Sequence, residues 1–105
     1  MSNARLHSVT NSVFSQIKNS FEEGDDGEFL FTSPLDGSTS YDLYPSNHDN
    51  KWDVIVDDQS RSPDNTYGIA SLDAAKHRVA ELIAKKIVKS EALIATAEAK
   101  NLLPA

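Results

Sequence analysis

Lys51-Trp52-Asp53-Val54-Ile55-Val56-Asp57 is the stretch from which the fold is read, because large apolar residues alternate in it with acidic ones. Side chains two apart along a strand point the same way, so Trp52, Val54 and Val56 share one face and Asp53, Ile55 and Asp57 the other. One apolar face and one mixed face mark an antiparallel sheet with a single side on a core. Toward the N-terminus, Glu28-Phe29-Leu30-Phe31-Thr32 and Tyr41-Asp42-Leu43-Tyr44 flank Ser33-Pro34-Leu35-Asp36-Gly37-Ser38. Proline and Asp-Gly between aromatic-rich runs are turn chemistry, so these two runs form a β-hairpin. Beyond the polar loop from Asp58 to Thr66, Tyr67-Gly68-Ile69-Ala70 reads as a short fourth strand pairing with the third, with a meander as the simplest connection.

Helical periodicity brackets this sheet. From Arg5 to Phe21, Leu6, Val9, Val13, Ile17 and Phe21 step by three or four and share a helix face, with Ser2 or Asn3 available as the cap. The acidic, glycine-containing stretch from Glu22 to Gly27 ends that helix. Ser71 is a good N-cap, Asp73 suits the first turn, and Leu72, Ala75, Val79, Leu82, Ile83, Leu93, Ile94 and Ala97 fall in one stripe. The stripe keeps its phase through Ser90, which predicts one long helix from Leu72 to about Lys100. Such a helix is about 43 Å long against about 28 Å for the first, so its far end needs a further partner. That partner is the sheet edge or a second copy of the chain, with Leu93 and Ile94 as the contact. The expected architecture is a single α+β domain over residues 1–105: an antiparallel meander of three to four strands packed on an N-terminal helix and a long C-terminal helix.

Composition narrows what such a domain does. Leu, Ile, Val and Phe number 9, 6, 6 and 4, enough for one core in 105 residues. There is no cysteine, which excludes disulfides, thiolate metal sites and cysteine nucleophiles together. With no bilayer-length apolar run and no signal-peptide pattern, the expected location is the cytoplasm. No nucleophile elbow, phosphate-cradling glycine loop or dinucleotide fingerprint is present, and His7, His48 and His77 are scattered, so no enzyme and no cofactor is expected. The carboxylates from Glu22 to Glu28 lack EF-hand spacing, and His48-Asp49-Asn50 with Asp53 lacks a second ligand pattern, so no metal is expected either.

The net charge of −6 divides sharply along the chain: residues 1–21 carry +2, residues 22–66 carry −10, and residues 67–105 carry +2. Strand alternation assigns many of these acids to one surface. With Phe29, Phe31, Tyr41, Leu43, Trp52, Val54 and Val56 turned to the helices, Leu30, Asp42, Tyr44, Asp53, Ile55 and Asp57 lie on the opposite face. No third layer remains to cover that face, so with the loop residues Asp25, Asp26 and Glu28 it is the candidate partner-binding surface. Carboxylates supply long-range attraction for a basic partner, and Leu30, Tyr44 and Ile55 supply apolar contact. The plain alternative is a solvated sheet face, since an antiparallel sheet normally turns polar residues to water. Direct nucleic-acid binding is not expected of an acidic sheet; Lys76, Arg78, Lys85, Lys86 and Lys89 form at most a basic stripe on the second helix.

In size, acidity, lack of cysteine and α+β layout the whole chain resembles small phage-encoded inhibitors such as anti-CRISPR proteins. That resemblance implies a host nuclease complex as partner, in the host cytoplasm, and a DNA-like acidic surface that occupies a basic, nucleic-acid-binding face. The second expectation, from a different class, is a structural or regulatory homodimer joined through Leu93 and Ile94.

Overall fold

The computed structural model describes residues 3–35, 37–46 and 50–103. The elements are α1 (Asn3–Ile17), β1 (Glu22–Glu23), β2 (Phe29–Thr32), β3 (Ser40–Pro45), β4 (Trp52–Asp57), β5 (Thr66–Ile69), α2 (Leu72–Ile87) and α3 (Glu91–Ala99). The five strands form one antiparallel meander in the order β1-β2-β3-β4-β5, so the α+β architecture stands with one strand more than expected. The additional strand is β1, where Glu22 pairs with Leu30 and Glu23 with Phe29. It carries no apolar signal; backbone pairing alone makes it a strand, and the turn behind it is closed by the Gly24 amide donating to the Glu28 carbonyl at 2.8 Å.

The core lies between one face of the sheet and the helices. Phe31, Tyr41, Leu43, Val54 and Val56 are buried from the sheet, and Phe29 and Trp52 are half-buried against them, as alternation predicts. Val13 and Ile17 of α1 and Ala75, Val79, Ile83 and Ile87 of α2 close the core from the other side. α1 ends at Ile17, earlier than its apolar pattern suggests, yet Phe21 still packs on the core with its ring 5.1 Å from that of Phe31. Thr10 is buried in α1 with its hydroxyl donating to the Leu6 carbonyl at 2.7 Å, which satisfies the polar group within the helix.

The C-terminal third differs from expectation. There is no single long helix: α2 stops at Ile87, three residues intervene, and Ser90 adopts an extended conformation (φ −151°, ψ 129°) before α3. After the break α3 packs against α2, and Leu93 and Ile94 are half-buried on the chain's own core. The far end thus finds its partner within the chain, and the helix-length argument for a second copy falls away. Past α3, Asn101 takes a left-handed conformation (φ 62°), the Leu102 amide donates to the Ala97 carbonyl at 2.8 Å and the Asn101 amide to that of Glu98 at 3.2 Å. This is a Schellman closure, and its apolar partner is Leu102, which is buried beside Ala97 in the core.

Candidate functional site

The outer face of the sheet is built row by row from strand register, because directly paired residues point to the same side. One row is Glu22, Leu30, Asp42 and Ile55, drawn from β1 to β4. The next is Thr32, Ser40 and Asp57, with the Thr32 and Ser40 hydroxyl oxygens 3.4 Å apart. On the other side of the first, Tyr44 pairs with Asp53, and Glu28 lies one residue beyond the Phe29–Leu43 pair. All six strand residues expected on this face are therefore on it together. Asp25 and Asp26 are exposed in the turn that leads to Glu28.

Tyr67 joins them, although sequence reasoning did not place it there. On β4 Trp52 faces Ile69 while Val54 faces Thr66, so β5 holds one extra residue, a bulge at Tyr67-Gly68. The Thr66 hydroxyl accepts from Arg78 Nε of α2 at 2.9 Å, which sets Thr66 toward the helices and, by alternation, Tyr67 on the outer face. The bulge hides this from period-two reading, since Thr66 and Ile69 both turn inward though three residues apart. The signal available was Gly68 itself, a glycine inside a strand run. Its φ of +71° is one that side-chain-bearing residues rarely adopt.

Asp53 has a structural task on this surface. Its Oδ1 accepts from the Gly68 amide at 3.0 Å and so pins the bulge. Asp42 is engaged differently, its Oδ2 accepting from the Tyr44 hydroxyl at 3.3 Å. The Asp42 carboxylate, and after it partial burial and Glu28, raise the Tyr44 phenol above its ordinary ionisation range. Asp57 is exposed at the far end. No Lys or Arg stands among the strand residues of the face; Lys51 precedes β4 at its rim. Leu30, Tyr44 and Tyr67, with 38%, 39% and 65% of their surface accessible, are the exposed large apolar or aromatic side chains among the described residues. All three lie on this face.

The bases of α2 are largely engaged in the fold. Lys76 Nζ donates to the Lys18 carbonyl at 3.0 Å and sits 5.4 Å from the centroids of both the Phe21 and Phe29 rings. Arg78 pairs with Glu81 and, at 3.6 Å, with Asp64. Lys86 Nζ donates to the Thr39 hydroxyl at 3.3 Å. Lys85, Lys86 and Lys89 rim a hollow of about 160 Å³ floored by Tyr41, Val56 and Leu82, with Asp58 and Asp64 at its edge. Asp58 Oδ1 accepts from the Ser60 amide at 2.9 Å, and hydrogen bonds from Ser60 lower its pKa.

His7 and His77 meet over α1 and α2 through one side chain: Asn11 Nδ2 lies 3.2 Å from His7 Nε2 and Asn11 Oδ1 3.4 Å from His77 Nε2. The His77 ring also packs on Phe14, with centroids 5.3 Å apart, so His77 ties α2 to α1, while the His7 contact stays within α1. Among the described residues no group of three or more His, Asp or Glu side chains is placed to hold a metal ion. His48 and Asp49 of the loop cluster lie outside the described residues. No helix of the described residues is long and apolar enough to cross a membrane. Models of known protein families, curated proteins and solved structures yield no match to this chain.

Proposed function

We propose that the chain is a non-enzymatic binding protein whose outer sheet face, with the Asp25-Asp26 turn and Glu28, occupies a basic surface on another protein. One observation carries the reading: the three exposed large apolar or aromatic residues, Leu30, Tyr44 and Tyr67, lie together among Glu22, Glu28, Asp42, Asp53, Ile55 and Asp57. A face that served only solubility needs the carboxylates but not the rings. Apolar anchors with a charged surround are what a docking surface needs, because the rings supply contact area and the carboxylates supply attraction at a distance. The basic surface it fits is one that otherwise holds nucleic acid. Duplex DNA carries about one negative charge per 1.7 Å of axis, so a dense row of carboxylates competes for the same lysines and arginines. Inhibition by blockade follows, as in the phage-encoded inhibitors that the chain resembles.

The test substitutes Asp42→Asn and Asp57→Asn and spares Asp53, whose carboxylate holds the bulge. Partners captured from lysate by the wild type are identified and assayed for nucleic-acid binding. The expected partner is retained at low salt, released at high salt, lost with the double variant, and displaced from nucleic acid by the wild type. A partner held equally by both forms would move the site off this face.

A further inference from the structure

The third row of the outer face alternates charge and ring: Glu28 immediately before β2, Tyr44 on β3, Asp53 on β4, and Tyr67 in the β5 bulge opposite Asp53. Strands lie about 4.8 Å apart, so each ring has a carboxylate one strand spacing away on at least one side. Tyr44 has carboxylates on both sides and a third, Asp42, on its own strand, bonded to its hydroxyl at 3.3 Å. Glu28 is near enough to the Tyr44 hydroxyl to act on its ionisation. The Tyr67 hydroxyl accepts from Asn65 Nδ2 at 3.2 Å, which steadies a ring that is otherwise largely open.

We infer that this row selects arginine over lysine, so that the partner of the proposed interaction presents guanidinium groups, as an arginine-rich segment, to Tyr44 and Tyr67. The inference rests on the binding reading above and adds the chemistry of the contact. A guanidinium is flat, weakly hydrated and forked: it lies on an aromatic face while its N–H groups reach a carboxylate beside the ring in paired hydrogen bonds. An ammonium satisfies the carboxylates as a point charge but is compact and strongly hydrated, and it gains less from the ring. A surface with carboxylates alone would favour arginine by its paired hydrogen bonds only. Rings between the carboxylates add a stacking contact from which the guanidinium gains more than the ammonium. The Asp53 oxygen that accepts from Gly68 does not exhaust that carboxylate, which has lone pairs left for a bound donor.

The probes are two blocked peptides of equal length and charge, hexa-arginine and hexa-lysine, titrated calorimetrically into the whole protein at low salt. The arginine peptide is expected to bind about tenfold more tightly, the order that two exposed cation–ring contacts supply. Tyr44→Leu with Tyr67→Leu should weaken arginine binding severalfold and lysine binding much less, and melting curves establish that the variant folds. Tyr44→Phe keeps the ring without the hydroxyl and should keep the preference. Equal affinities in the wild type, or a preference undiminished by loss of both rings, would overturn the arginine inference. If Asp42→Asn with Asp57→Asn still weakened both peptides in that case, the acidic-face reading would stand without it. Failure of both peptides to bind, or binding indifferent to the acidic substitutions, would remove both.

Discussion

Asp53 and Asp42 face the same side of the sheet from neighbouring strands, yet the structure gives them different work. Asp53 holds the Gly68 amide, so Asp53→Ala leaves the bulge without its acceptor and should cost about 1–2 kcal/mol in urea unfolding. Asp42→Asn removes only a surface charge and should stay within about 0.5 kcal/mol of wild type. Alternation placed both residues on the outer face from sequence, but it says nothing of hydrogen-bond partners, so which acid is structural was not legible. Asp42 instead governs a titration. The folded chain keeps the Tyr44 proton to higher pH than the unfolded chain, whose tyrosines ionise near pH 10. Between those two values the folded state binds more protons, so this group's contribution is complete below about pH 10 and is lost as pH rises through the raised value. NMR of the Tyr44 ring should show its ionisation return toward the ordinary range in Asp42→Asn; an unmoved titration would assign the shift to burial and Glu28.

At the scale of elements, what the sequence revealed depended on whether side chains or backbone defined the element. The strands β2, β3 and β4 were legible because each turns alternate residues into a core, which leaves a mark on composition. The pairing of Glu22-Glu23 with β2 leaves none, and the break before α3 left the helical phase intact because both helices turn their apolar stripe to the same core. That break is secured at the far end by the closure at Asn101 and Leu102. Leu102→Ala empties a buried site next to Ala97 and should destabilise by about 2–4 kcal/mol. Asn101→Gly relieves a left-handed backbone and should be neutral or stabilise by up to about 0.5 kcal/mol. Thermal unfolding of the two variants distinguishes a docked α3 from a loosely attached one, because a loose α3 would make Leu102→Ala as mild as Asn101→Gly.

For the whole molecule, the question is how a chain of net charge −6 tolerates Glu22, Glu28, Asp42, Asp53 and Asp57 on one sheet face with no base among the strand residues there. Like charges on adjacent strands oppose folding, and at this surface the opposition is weak and sensitive to salt. The screening length falls from about 30 Å at 0.01 M salt to about 8 Å at 0.15 M, well inside the width of the face. Wild-type melting temperature should therefore rise over that range. Asp42→Asn with Asp57→Asn should stabilise the fold at low salt by about 0.5–1 kcal/mol for the pair, raising that temperature, and should flatten its salt dependence. The same two substitutions are expected to weaken partner binding, so stability and binding move in opposite directions, as they do where a surface is kept for function against its own fold. Two other outcomes are informative. Substitutions that stabilise the fold and leave binding intact would make the acids a solvated face. Melting independent of salt in both forms would mean that the carboxylates stand too far apart to repel, and with that a partner would feel them singly rather than as one field.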